Sequence, residues 1–265
     1  MNNKIREIIH NYLKYKENVE SFSPLTLKAY SLDLSQAFKN KQSLVCEYNE
    51  LWVFVRPTLA KWGKLSLATR NRKIATLKSF FNWLYERNLL NTNYSHQLVC
   101  PKVPNKIPNF LSVDEVISVL NYINQQKNHS TDIQKQIQLR KQKTLFLLLY
   151  GCGLRISEAC NTKWKDISFD SKKILITGKG NKQRFSIMPA FTTKHLQNEA
   201  LLAQITSDAY IFGSKTLDPR VGYELIRQLG TSAGLMNPLN PHALRHSYAT
   251  HLLASGANLR VLQKL

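Results

Sequence analysis

The stretch "CPKVPNKIPNF" (residues 100–110) sets three prolines into eight residues. Each proline fixes its own φ, removes a backbone donor and turns the preceding residue away from helix. No helix continues through such a stretch. It reads as an extended linker over residues 101–110, joining a domain at 1–100 to a second at 111–265. In a chain of 265 residues there is enough sequence for a hydrophobic core on each side.

Before the linker the apolar pattern is helical. "IREIIHNYLKYK" places Ile5, Ile8, Ile9, Tyr12 and Leu13 on one stripe. In "SPLTLKAYSLDLSQAF", Ser23 is an N-cap, Pro24 takes the first helical position, and Leu27, Tyr30, Leu34 and Phe38 share a face. A third helix is expected around "LWVFVRPTLAKW", with Pro57 forcing a start or a break. "SLATRNRKIATLKSFFNWLYERNLL" offers Ile74, Leu77, Phe81 and Leu84 to a core and Arg70, Arg72, Lys73 and Lys78 to an outer basic face. That basic face suits DNA, although an ordinary solvated face fits the same pattern.

After the linker, Ser112-Val-Asp-Glu115 is a capping box. "NQQKNHSTDIQKQIQLRKQK" contains a loop and the start of another helix, and "TLFLLLYGCGLRISEACNTKW" reads as a buried helix, a glycine break and a new helix carrying Arg155. "KKILITGKGNKQRFSIMP" gives two β-branched runs around a Gly/Asn-rich turn, and "AYIFG" is a candidate short strand. "VGYELIRQLGTSAG", "HALRHSYATHLLASG" and "NLRVLQKL" read as helices. The expected class is mainly α with a small antiparallel β-sheet, in two domains.

Charge narrows the function. Thirty-seven Lys+Arg against 17 Asp+Glu give a net charge of +20. Residues 1–100 hold 15 bases and 7 acids (+8) and the remainder 22 and 10 (+12), so a polyanion partner is expected to touch both halves. Neutralising phosphates with release of counterions favours nucleic acid over a protein merely kept soluble by lysine. No apolar run approaches the roughly 20 residues of a membrane span, and the N-terminus lacks an apolar leader, which points to a soluble, cytoplasmic protein with no membrane partner. Cys46, Cys100, Cys152 and Cys160 form no CxxC pair and read as buried apolar residues, with a catalytic thiol second.

Several residues carry possible chemistry. Arg155, after Gly151-Cys152-Gly153, suits a bidentate phosphate clamp, and a structural salt bridge to Glu158 explains it equally well. "TGKGNKQR" puts Lys179, Lys182 and Arg184 around a hairpin tip. It is not a P-loop, because the segment runs from strand to strand. His242 and Arg245, three apart, share a helix face and suit a phosphate. A zinc pair of His242 and His246 lacks a third ligand. His246 and His251 read as polar partners in a helical core, and Tyr248 as a packing residue.

"GCGLRISEA", "GKGNKQR" and "HALRHSYATHLL", in that order, resemble the signature of the tyrosine recombinase (lambda-integrase) family, nearest its Xer branch. "SPLTLKAYSLDLSQAF", "ATLKSFFNWL" and "CPKVPNKIP" resemble that branch's core-binding domain and linker, so the likeness spans essentially the whole chain. The resemblance implies a helical, SAM-like core-binding domain and a catalytic domain that cuts and rejoins duplex DNA through a phosphotyrosyl link, with no cofactor. It implies Arg155 and Arg245 as phosphate-clamping arginines, Lys179 as the donor to the departing 5′ oxygen, His242 in proton transfer and Glu158 in support. Arg70, Arg72, Lys73, Lys78, Lys182 and Arg184 are the expected DNA contacts. The implied partners are a double-stranded recombination site and a homo- or hetero-tetramer with a second recombinase, for chromosome dimer resolution. The family pattern places a Leu-Gly-His segment and the nucleophilic tyrosine after "LRVLQKL". Both fall past Leu265, and the chain as given is expected to lack them. The alternatives are a non-cleaving DNA-binding derivative, a mobile-element integrase, a relaxing topoisomerase and a helix-turn-helix regulator.

Overall fold

Two separate apolar clusters divide the chain into compact units, Met1–Lys106 and Ile107–Leu265. The computed structural model describes residues 3–39, 48–104, 110–129, 132–178, 182–202 and 208–256. The fold is mainly helical with one small antiparallel sheet among the described residues.

The first unit holds α1 (Asn3–Asn18), α2 (Pro24–Ala37), α3 (Leu51–Trp62) and α4 (Leu67–Glu86). The stripe of α1 buries Ile5, Ile8, Ile9 and Tyr12 as its spacing requires. Ser23 caps α2 by accepting the Thr26 N–H at 3.2 Å, and Pro24 opens the helix. Ile74, Leu77, Phe80, Phe81 and Leu84 of α4 are buried, and Tyr12 meets Phe80 and Trp83 edge-on at centroid distances of 5.2 and 5.4 Å. Pro57 neither starts nor breaks a helix: α3 runs through it. The donor it lacks would have served the carbonyl of Val53, a solvent-exposed residue.

The outer basic face expected on α4 is partly an inner one. Asp33 of α2 is fully buried and accepts hydrogen bonds from both terminal nitrogens of Arg72, from Lys73 Nζ at 2.9 Å and from Thr76 Oγ1 at 3.1 Å. Lys73 also donates to Gln36 Oε1 at 2.6 Å, and its side chain is only 7% exposed. Its ammonium therefore locks α2 to α4 instead of reaching solvent. Arg72 is exposed yet committed to the same carboxylate, and Arg70 and Lys78 are half-buried.

In the second unit, α5 (Val113–His129) starts at the capping box. Ser112 Oγ accepts the Glu115 N–H at 3.1 Å, and Glu115 Oε2 accepts the Ser112 N–H at 2.8 Å. The next helix, α6 (Ile133–Phe146), widens into a π-helical turn at Leu147–Gly151 before the chain enters Cys152-Gly153-Leu154 and the short α7 (Ile156–Asn161). Strands β1 (Ile167–Ser168), β2 (Lys173–Thr177) and β3 (Gln183–Ile187) follow, in that spatial order and all antiparallel. Ile176 pairs with Arg184 and Ile174 with Ser186. Ile174, Ile176 and Ser186 are buried, while Phe185 and Ile187 on the other face are exposed. "AYIFG" is no strand: Tyr210 makes only isolated bridges to Lys163 and Gly213. Three helices follow among the described residues: α8 (Ala190–Leu202), α9 (Pro219–Ser232) and α10 (Pro241–Ala254). "NLRVLQKL" lies outside the described residues.

Candidate active site

Glu158 stands at the third position of α7, where its carboxylate reaches back to accept the Arg155 backbone N–H at 2.7 Å. This ties the helix start to the residue before it, and Arg155 sits at the N-cap, ahead of the helix. The Arg155 guanidinium donates to Glu158 Oε1 at 3.0 Å. Arg184 of β3 approaches from the sheet side with a bidentate fork, Nη1 to Oε1 and Nη2 to Oε2, both 2.9 Å. Arg245 of α10 brings Nη1 to 3.7 Å from Glu158 Oε2 and donates from the same nitrogen to the Gly153 carbonyl. Three guanidiniums thus converge on one carboxylate whose side chain is only 6% exposed.

The electrostatics follow from this packing. Burial opposes ionisation of Glu158, but the fork from Arg184 and the backbone and side-chain bonds from Arg155 outweigh it and hold its pKa down at about 2. Arg245 moves below its ordinary value, first because it is buried and then because Arg155 is close. One negative charge does not balance three positive ones, so the cluster is poised for an anion.

Neighbouring elements fix the geometry. Gly153 adopts a left-handed φ of +64°, and a Cβ there would collide with the ring of Tyr248. The Tyr248 ring therefore packs on Gly153, and burial raises its hydroxyl pKa. Ser186 Oγ of β3 donates to the Cys152 carbonyl at 2.6 Å. Ser247 Oγ of α10 accepts the Leu111 N–H at 2.7 Å and donates to the Ala243 carbonyl at 2.8 Å.

The structure brings Arg155, Glu158 and Arg245 together. His242 lies in the first turn of α10, exposed and three residues before Arg245. Lys179 lies outside the described residues, whereas the strands that lead to it are described, closed by Gly178 N–H donating to the Lys182 carbonyl at 2.8 Å. Lys182 is exposed at the foot of that hairpin. Arg184 departs from the expected DNA-facing tip: it points inward to Glu158 and is 20% exposed. No sequence signal marks this, because alternation in "QRFSI" would turn Phe185 and Ile187 inward and Arg184 out. His246 is exposed instead of packed in a core, while His251 Nδ1 pairs with Tyr150 OH at 2.9 Å. Burial raises the thiols of Cys152 and Cys160 to about 12, which disfavours their thiolates. Cys100 is half-buried and Cys46 lies outside the described residues. No group of three or more His, Cys, Asp or Glu suited to a metal occurs among the described residues, and no helix there is long and apolar enough to cross a membrane.

Residues 109–265 match the Phage integrase family, and residues 9–88 match the Phage integrase N-terminal SAM-like domain. The tyrosine recombinase of Pseudothermotoga lettingae is 30% identical over 269 residues, which cover 98% of this chain and 89% of that protein. Tyrosine recombinase XerC of Halalkalibacterium halodurans is 32% identical over 270 residues, covering 96% and 85%. Among solved structures, the XerH site-specific recombinase bound to a palindromic difH substrate, a post-cleavage complex, shares the fold with a TM-score of 0.72 at 22% identity, covering 97% and 76%.

Proposed function

The chain belongs to the phage integrase family of tyrosine recombinases, and on that premise we propose that it is an Xer-type site-specific recombinase, acting in the cytoplasm to resolve chromosome dimers. The observation that carries the reading is the set of three guanidiniums around one buried carboxylate, an excess of positive charge that calls for a phosphate.

In-line attack of a tyrosine oxygen on a DNA phosphorus forms a P–O bond to tyrosine as the bond to the 5′ oxygen breaks. Charge builds on the non-bridging oxygens, where Arg155 and Arg245 stabilise it from fixed positions. Each such donor is worth about 10²–10³ in rate. Lys179 protonates the departing 5′ oxygen, and His242 moves a proton at the same phosphate. The 3′-phosphotyrosyl link preserves the ester, so a 5′-hydroxyl from another strand reverses the step and releases the tyrosine. In this reading the attacking hydroxyl is that of the family's nucleophilic tyrosine and not of Tyr248, whose ring packs on Gly153. Two duplexes, each cut on both strands, require four protomers, hence a homo- or hetero-tetramer on DNA.

Selection of duplexes from a random pool tests the reading. An enriched site is expected, with affinity falling about 10³–10⁵-fold between 50 and 200 mM salt for six to ten phosphate contacts. An affinity flat across that range, or no enriched sequence, overturns it. Covalent capture on a nicked duplex of the selected sequence then separates a cleaving recombinase from a non-cleaving derivative.

A further inference from the structure

We propose that Arg184 is a positioning residue of this site: by occupying both oxygens of Glu158, it lets that carboxylate orient Arg155 without sequestering it. The proposal rests on the recombinase reading for its biological meaning, but its structural content stands on four observations.

The first is the fork itself. A carboxylate is most strongly satisfied by a planar bidentate guanidinium, and Glu158 receives one from Arg184 and only a single side-chain bond from Arg155. The second is exposure: Arg155 remains 55% exposed while Arg184 is 20% and Glu158 6% exposed. Arg155 is thus held at one corner and open at the rest. The third is the Nε of Arg184, which is buried with no hydrogen-bond partner among the described residues. A guanidinium with both Nη atoms committed and Nε shut away has little left for a DNA phosphate. The fourth is the strand: Ser186, the other inward polar residue of β3, bonds the Cys152 carbonyl. One edge of the sheet therefore grips the chain on both sides of Arg155, at Cys152 and at Glu158.

Without Arg184, the nearest flexible guanidinium able to satisfy Glu158 is that of Arg155, three residues away. A closed Arg155–Glu158 fork would cancel the charge that the site offers to phosphate. Lysine in place of Arg184 keeps the positive charge but supplies a point donor instead of a fork.

Arginine-directed labelling by phenylglyoxal, mapped by mass spectrometry on the full chain, tests this without DNA. In R184K and R184Q, labelling of Arg155 is expected to slow about tenfold, the scale of a charge-assisted fork, and adding E158Q to either is expected to restore it. The double variant R184Q/E158Q leaves no orphaned carboxylate, so it stays informative where R184Q alone fails to fold. The second measurement is affinity for a duplex selected from the random pool. R184K is expected to bind about tenfold more weakly than the unmodified chain, and R184K/E158Q to match E158Q alone within about threefold. Unchanged Arg155 labelling in R184K overturns the proposal. So does an affinity loss that is the same with and without the Glu158 carboxylate, because that pattern marks a direct phosphate contact by Arg184. A chain that selects no duplex defeats the recombinase reading, while the labelling result still decides the role of Arg184.

Discussion

At Glu158, burial and ion pairing oppose each other, and pairing wins because Arg184 and Arg155 both hydrogen-bond the one carboxylate. Its folded pKa of about 2 lies below the ordinary 4.5, so its contribution to stability is fully present above about pH 4.5 and is lost as pH falls toward 2. The amount is on the order of 3 kcal/mol. Chemical denaturation between pH 6 and 2 should therefore show a steeper acid loss in the unmodified chain than in E158Q. Parallel curves would mean the carboxylate is no better held in the folded state than in the unfolded one. Gly153 is the second decisive residue. Its left-handed φ and its contact with Tyr248 leave no room for a methyl group, so G153A is expected to cost about 2–4 kcal/mol in a denaturant titration. A loss under 1 kcal/mol would show that the loop relaxes without harm. The glycines at 151 and 153 were legible in sequence as a break after an apolar run. The reason for Gly153 was not, because Tyr248 lies 95 positions downstream and only the fold places its ring there. Arg155 and Glu158 were legible as a pair, since an N-cap and its third residue are local partners.

Among the elements, α1 and α4 show what periodicity can and cannot tell. Apolar spacing named Ile5, Ile8, Ile9 and Tyr12 of α1 and Ile74, Leu77, Phe81 and Leu84 of α4, all buried because burial needs only a contiguous stripe. That spacing missed Phe80 and Trp83, and Leu13 is only partly covered. It failed for Lys73: a charge beside that stripe reads as outward until a buried acid on another helix is known to stand opposite. Asp33 is that acid, and its lock between α2 and α4 is worth testing as a unit. D33N leaves the Lys73 ammonium buried with Gln36, the Trp62 ring and a weakened partner, and is expected to lose about 3–5 kcal/mol by thermal or chemical denaturation. D33N combined with Lys73→Met, which removes the stranded charge, should recover part of the loss. Equal instability of the single and double variants would show that the lock works through Arg72 and Thr76 instead. Strand β3 misleads in the opposite sense. The apolar residues of "QRFSI" are Phe185 and Ile187, which ordinary alternation would turn inward, yet both face solvent. The polar members Arg184 and Ser186 point in, because Glu158 and the Cys152 carbonyl supply the partners that make their burial affordable.

At the scale of the whole molecule, two cores and a basic surplus on each side of the linker make separability the sharpest question. Among the described residues, each apolar cluster lies within its own unit, one built around Tyr12, Phe80 and Phe81 and the other around Phe146, Leu148 and Ile174. Residues 1–104 and 110–265, produced separately, are each expected to fold, with far-UV circular dichroism spectra that sum to that of the full chain within about a tenth. An unfolded fragment would show that one unit depends on the other for its core. The net charges of these fragments, +9 and +10 with Lys106 in neither, add a second readout. If both units meet DNA phosphates, each fragment should bind duplex more weakly than the full chain, and the slopes of log affinity against log salt should add up to the full-chain slope. Joining them raises affinity further without adding a contact, because the second unit then binds at the effective concentration set by its tether to the first. A fragment slope near zero would place the whole phosphate footprint on the other unit. Its surplus lysines and arginines would then serve solubility rather than recognition.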